Sequence, residues 1–200
     1  MIVYVETNFV VEFVFRQSEY DSCDALRQMA EEGEIELHIP ALAVAEAADL
    51  IRKTHTARQA LVTDLNKHLA RSAHLQESVP SLEVLKLHIV ESLATEEQLL
   101  WDLREFIRTR AVTVPYDREA LDWSWFFDLT KAVQGRSDTM ILGSIFADAK
   151  RKHLGGTESI FVTKDRKDFS GPDVREHLKS AGCKLLFSFA DSVAYLRHRP

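Results

Sequence analysis

The sequence predicts an α/β fold: a three-layer α/β/α sandwich around a central parallel sheet, with a helical insertion. Three observations carry this. Short β-branched and aromatic runs alternate along the chain with segments of helical pattern, which is the order expected of a parallel sheet with helices on both faces. Only 7 Gly and 5 Pro occur in 200 residues, too little turn chemistry for a many-stranded all-β sandwich. Hydrophobic residues make up 46% and charged residues 28%, a globular balance in a length that suits one domain.

Ile2-Val3-Tyr4-Val5 reads as a buried strand. Thr7 or Asn8 is positioned to cap the apolar helix that continues through Phe9 to Phe15. Asp21 or Ser22 opens a second helix, Asp24 to Glu32, which Gly33 closes. Ile35 to Ile39 alternates and stops at Pro40, giving a second strand. An alanine-rich helix follows from Ala41 through Glu46 toward Arg52.

Residues 54–110 are helical in composition, with Pro80 the main interruption, and form the expected insertion. Apolar residues at three- and four-residue spacing, Leu61, Leu65, Leu69, Leu82, Leu85, Ile89, Leu93, Leu99 and Leu103, give each helix a stripe that needs a partner. Charge is segregated there. Arg52, Lys53, Arg58, Lys67 and Arg71 mark the first half, and Glu77, Glu83, Glu91, Glu96, Glu97, Asp102 and Glu105 the second. This pattern suits either a hairpin of complementary faces or a basic arm for a polyanion.

Ala111 to Val114 reads as a short strand and Asp117 to Val133 as a helix that Gly135 stops. Ser137 is positioned to cap the next helix, Asp138 to Lys152, which ends at Gly155-Gly156. Ser159 to Thr163 is a strand, Asp173 to Ser180 a helix, Lys184 to Phe187 a strand and Phe189 to Leu196 a last helix.

The formal charge of -6 excludes a globally basic nucleic-acid binder but leaves room for a local basic patch. Cys23 and Cys183 form no CxxC pair, so they build no thiolate zinc site and read as buried thiols in a reducing compartment. The opening apolar run lacks a basic start and is broken by Glu6 and Glu12. No stretch approaches the ~20 apolar residues of a membrane span, and the expected location is cytoplasmic.

In an open α/β sheet the site lies outside the carboxyl ends of the strands. Glu6 follows the first strand directly and Asp165 follows the Ser159 to Thr163 strand. Asp138 stands in the first turn of its helix, where the dipole favours a carboxylate. Glu46 is the charge inside an alanine-rich run. Acids gathered at one edge raise each other's pKa values, and a bound divalent cation removes that cost. Mg²⁺ and Mn²⁺ favour such all-oxygen donor sets, and metal-assisted phosphodiester hydrolysis is the chemistry that follows.

Val3-Tyr4-Val5-Glu6-Thr7-Asn8, Glu46 in an early helix, Ser137-Asp138-Thr139-Met140-Ile141 and Phe161-Val162-Thr163-Lys164-Asp165-Arg166-Lys167-Asp168-Phe169 together resemble a PIN domain. The last stretch is the most specific, and the resemblance covers about residues 1–52 and 111–190. It implies a Mg²⁺- or Mn²⁺-dependent endoribonuclease acting on RNA. Many members of the family are VapC-type toxins, so it also implies an antitoxin protein as partner and a homodimer. Carried over by position, Glu6, Glu46, Asp138 and Asp165 are the catalytic and metal-binding acids. Asn8, Thr163 and Asp168 support them. Glu6 stands where the family has Asp, and its extra methylene moves the carboxylate outward. The alternative is therefore a PIN-fold RNA-binding or protein-interaction module with weak or lost nuclease activity.

Lys164, Arg166 and Lys167 flank Asp165 and, with Arg52, Lys53 and Arg58, are the candidates for holding RNA phosphates. Glu12 and Asp122 read as surface acids. His68 and His74 are poorly spaced for a shared metal, and the chain has no HExxH, GxSxG, Walker A or GxGxxG motif. A phosphatase of the HAD type is disfavoured because Glu6-Thr7-Asn8 replaces its paired aspartates. Trp123, Trp125, Phe126 and Phe127 cover most of one helix and suit core or dimer contact better than base stacking.

Overall fold

The computed structural model describes residues 1–71 and 79–198, so Glu77 and His74 lie outside the described residues. Five strands, β1 (Ile2–Val5), β2 (Glu36–Pro40), β3 (Val112–Val114), β4 (Ser159–Val162) and β5 (Cys183–Leu186), form one sheet in the order β3-β2-β1-β4-β5. Every pairing is parallel. The helices are α1 (Thr7–Val14), α2 (Tyr20–Glu31), α3 (Ala41–Arg71), α4 (Val79–Thr109), α5 (Arg118–Leu129), α6 (Arg136–Leu154), α7 (Arg166–Phe169), α8 (Pro172–Ser180) and α9 (Phe189–Arg197). Strand β1 has both neighbours in the sheet, and all four of its residues are buried, as a near-continuous apolar run requires.

The layers follow from the contacts. Helix α6 packs against β2, β3 and β4 and carries α5 and α8 with it. Helices α1 and α2 pack together, α2 meets β2 and α9, and α9 meets β5. The α5–α6 contact is close because Gly143 sits on α5: a Cβ there would lie 2.3 Å from Ser124 Oγ and 2.6 Å from the Ala120 carbonyl oxygen. Trp123 and Phe127 of α5 pack on Phe146, and Phe127 is fully buried, but Trp125 is 62% exposed. The aromatic helix is thus partly core and partly surface.

Helices α3 and α4 pack side by side, and α1 packs on both. Buried or half-buried positions recur along α3 at Ile51, His55, Arg58, Val62, Leu65 and Leu69. Along α4 they recur at Leu82, Lys86, Ile89, Leu93, Glu96, Leu100 and Leu103. These are alternating steps of four and three residues, the heptad of a two-stranded coiled coil. Leu61 and Leu85, assigned above to the buried stripe, are each 48% exposed. The seam instead admits a polar layer. Glu96 is buried and accepts hydrogen bonds from Arg58 Nη1, Ser92 Oγ at 2.6 Å and, in ion-pair contact, His55 Nε2 at 3.1 Å. Opposite charges on the two helices meet inside the hairpin here. Pro80 falls in the first turn of α4, where a missing N–H costs nothing.

Three helix ends differ from the reading above. Glu6, not Thr7 or Asn8, caps α1, its side chain accepting from Asn8 N. Helix α6 begins at Arg136 after Gly135, and Ser137 caps nothing, because its hydroxyl is used by Glu46. Helix α5 ends at Leu129, well before Gly135, with Lys131 in the left-handed region at φ 54°. Cys23 and Cys183 are both free and buried. Among the described residues no helix is long and apolar enough to cross a membrane.

Candidate active site

The register of the two central strands brings the first acid to the last. Val5 pairs with Val162, so the next residues, Glu6 and Thr163, leave the sheet side by side. Glu6 Oε1 accepts from Thr163 Oγ1 at 2.9 Å and from Asn8 Nδ2 at 2.7 Å, and its Oε2 accepts from Asn8 N at 2.8 Å. The carboxyl is 4% exposed. Burial pushes its pKa up to about 7, although the bonds from Asn8 and Thr163 favour the charged form.

Asp165 stands three residues past the end of β4. Its N–H donates to Thr163 Oγ1 at 2.9 Å and its Oδ1 caps α7 by accepting from Asp168 N at 3.0 Å. Asp138 occupies the first turn of α6. Its carboxylate lies over Gly135, where a Cβ would fall 1.9 Å from Asp138 Oδ2. Partial burial, followed by the charges of Asp168, Glu46 and Asp165, pushes Asp138 up to about 6. Asp168 is raised as well, by burial and then by Asp165.

Glu46 projects from α3 and is held from two sides. Its Oε2 accepts from Thr7 Oγ1 at 2.5 Å and its Oε1 from Ser137 Oγ at 2.8 Å. These hydroxyls were read above only as helix caps. Their other use was invisible in the sequence because it joins residues 39 and 91 positions apart.

Glu6, Asn8, Glu46, Asp138 and Asp165 line one cavity of about 380 Å³ at the carboxyl edge of the sheet, together with Thr7, Asp49, Leu50 and Lys53. Asp168 stands outside the lining but within electrostatic reach of Asp138. Asp49 is an acid that sequence reasoning missed. It sits one turn beyond Glu46 on α3, a spacing that was a readable signal.

The basic candidates divide. Lys53 lines the cavity, with its Nζ 2.6 Å from Asp49 Oδ2. Arg52 also pairs with Asp49 and is exposed. Arg58 is taken by Glu96 and stacks over Phe15. Lys164 Nζ turns away to Glu12 Oε1 at 2.5 Å and Ser18 Oγ at 3.1 Å. Glu12 is therefore a buried, paired acid, not the surface acid of the earlier reading. Arg166 lies over Phe187, and Lys167 is exposed.

Among the described residues no three His, Cys, Asp or Glu side chains form a ready-made metal cluster. Glu6 and Glu46 are instead turned onto hydroxyl, amide and backbone donors. In chemistry the donor set still fits a hard divalent cation. It is all oxygen, it surrounds one cavity, and two of its carboxyls are raised by burial, Asp138 also by its neighbours' charges.

A family model described as PIN domain matches residues 3–169. No curated protein matches the chain. Among solved structures, the crystal structure of VapBC2 from Rickettsia felis bound to a DNA fragment from their promoter matches with a TM-score of 0.46 and 14% identity. That match covers 93% of this chain and 98% of the other.

Proposed function

Because the chain belongs to the PIN domain family, we propose that it is a metal-dependent endoribonuclease whose catalytic acids are Glu6, Glu46, Asp138 and Asp165. One observation carries the reading: four carboxylates from four separate segments line one cavity, and two of them hold protons more tightly than ordinary acids. Such an arrangement is costly for folding and is relieved by a bound cation.

In this reading Glu6, Glu46, Asp138 and Asp165 hold Mg²⁺ or Mn²⁺. When bound, the ion supplies Lewis acidity that acidifies water and neutralises charge on the phosphodiester. The chain's own residues do the rest. Asn8 and Thr163 orient Glu6. Thr7 and Ser137 orient Glu46, and Gly135 leaves room for the Asp138 carboxylate. Thr163 also steadies the backbone of Asp165, and Asp168 lends its N–H to the Asp165 carboxylate. Lys53, at the cavity, neutralises a substrate phosphate. An antitoxin partner, a homodimeric assembly and a cytoplasmic setting belong to this reading on the family resemblance alone.

The test is cleavage of single-stranded RNA by purified protein with Mg²⁺ or Mn²⁺, with and without chelator. Cleavage that requires metal and disappears in Asp138→Asn supports the reading.

A second reading, a PIN-fold RNA-binding module without nuclease activity, is favoured by the state of Glu6. Both its oxygens are engaged by internal donors. Glu6→Asp separates the two. The shorter side chain keeps its capping role but draws back from Thr163. Activity that appears or rises in this variant favours the nuclease, and metal-independent RNA binding with no cleavage in either form favours the module.

A further inference from the structure

Helix α4 carries a second row of positions, one residue after each position of its seam with α3 and so turned from that seam by about 100°. The row runs from Glu83 through Leu87, Val90, Ala94, Glu97, Trp101 and Arg104 to Arg108 in steps of four and three, and every residue in it is exposed. Leu87 is 54% exposed, Val90 43% and Trp101 59%. A helix with one buried face keeps the opposite side polar. Large apolar side chains aligned on one solvent-facing row, and not scattered singly, mark an interaction surface. Val84 and Leu85 are also exposed and belong to neither row.

The row is complementary to its own reverse. Its steps are the same when read backwards, so antiparallel pairing sets Glu83 against Arg108, Leu87 against the Arg104 stem, Val90 against Trp101 and Ala94 against Glu97. Each contact then occurs twice, as an isologous pair requires. Parallel pairing would instead set Glu83, Glu97, Arg104 and Arg108 each against its own kind. A groove of about 370 Å³ runs beside the row, between Trp101 and Arg104 on one side and Val10, Val44 and Ala48 on the other. In the antiparallel register, Leu87 and Val90 of a second copy arrive there. The contacts the row makes within the chain stay on α4. The Arg104 guanidinium lies 5.3 Å from the centroid of the Trp101 ring, which remains mostly exposed, and Arg108 pairs with exposed Glu105 three residues away. An exposed pair of that kind is weak and easily exchanged.

We propose that two copies of this chain pair through α4, antiparallel, about a two-fold axis between residues 95 and 96. Trp101 and Val90 form the apolar contacts on either side of the axis, and Glu83 with Arg108 closes each end. Ala94 gives Glu97 room near the axis, where the two Glu97 carboxylates approach each other. A polar residue at one seam position fixes register at a cost in stability. The proposal does not depend on the nuclease reading, because no residue of the row lines the acidic cavity.

The experiment is sedimentation of the full chain at low ionic strength, where exposed charges are least screened. A monomer–dimer equilibrium is expected within a range of about 1–300 µM. Leu87→Glu combined with Trp101→Glu should leave only monomer, and Glu97→Leu should tighten the dimer at least threefold. Glu83→Arg alone and Arg108→Glu alone should each weaken it at least threefold. Mixed in equal amounts, those two single variants should recover the parent affinity, because both ends of the mixed pair then match Arg with Glu. All of these side chains are exposed, and thermal melts verify folding. A parent that stays monomeric leaves the face to some other protein and overturns the proposal. A dimer that survives Leu87→Glu with Trp101→Glu overturns it too, and so does a mixture that associates no better than either single variant.

Discussion

Thr163 Oγ1 donates to Glu6 Oε1 at 2.9 Å and at the same time accepts from Asp165 N at 2.9 Å. One buried hydroxyl thereby fixes two acids of the site relative to each other. Thr163→Val keeps the shape and removes both bonds. The half-buried Asp165 N–H and the buried Glu6 carboxyl each lose a partner, so a loss of about 1–3 kcal/mol is expected in denaturant melts. Cleavage should fall at least tenfold, since both carboxylates lose their alignment.

Gly135→Ala tests the site with little effect on the fold. The added methyl falls on the Asp138 carboxylate, the far end of a flexible side chain, and displaces it. The melting temperature should move little, and metal-dependent cleavage should drop by an order of magnitude or more. A Gly135→Ala enzyme with full activity would remove Asp138 from the reaction.

Lys53→Glu addresses RNA. Lys53 is the basic candidate that lines the acidic cavity, so its reversal should weaken RNA binding and make the dependence of log affinity on log salt shallower by about one unit. Lys164→Glu is the instructive contrast. It would set a second carboxylate against buried Glu12 in place of its cation, and its main effect should be seen in stability.

The polar layer of the hairpin makes a paired prediction. Glu96→Ala leaves half-buried Arg58 and His55 without their carboxylate partner and should cost about 1–3 kcal/mol. Replacing Glu96 and Arg58 together by Leu and Met should come close to neutral, because the pair's desolvation penalty disappears with it. Urea melts of the three proteins check both statements.

Tyr4 Oη donates to Asp148 Oδ2 at 2.7 Å, and His38 Nδ1 lies 3.0 Å from the same oxygen. Burial raises the Asp148 pKa, but the bonds to His38 and Tyr4 outweigh it and hold the group below its ordinary 3.8. A depressed carboxylate stabilises the fold above its unfolded pKa and loses that contribution as pH falls through its folded value. Asp148→Asn should therefore destabilise the protein at neutral pH, and the gap to the parent should close as pH drops below about 4. Thermal melts from pH 3 to pH 7, run with chelator, check the sign.

The parallel sheet was legible because each strand is a short β-branched or aromatic run bounded by helix, and the acids were legible because strand ends and first helical turns are marked positions. The partners of those acids were not. Whether Ser137 caps its own helix or holds Glu46 depends on α3 arriving alongside α6, which no local pattern encodes. The pairing of Arg58 and Lys164 was hidden for the same reason: each meets a buried acid, Glu96 or Glu12, far away in sequence. The charge segregation of residues 51–105 was read correctly as a pattern but left open as to use, and part of it is spent inside the hairpin at the Glu96 layer.

The coiled-coil register of α3 and α4 also sets how this protein can change over generations. Helix α3 runs without a break from Ala41, past Glu46 in the acidic cavity, to Arg71, a rod of about 46 Å for its 31 residues. Seven residues gained or lost on each helix together would keep every seam position facing its partner and move the tip by about 10 Å. An unmatched insertion of one or two residues would rotate the outer part out of phase. The arm can therefore lengthen or shorten only in matched steps, so its reach is free to drift in jumps while the end at the acidic cavity stays where it is.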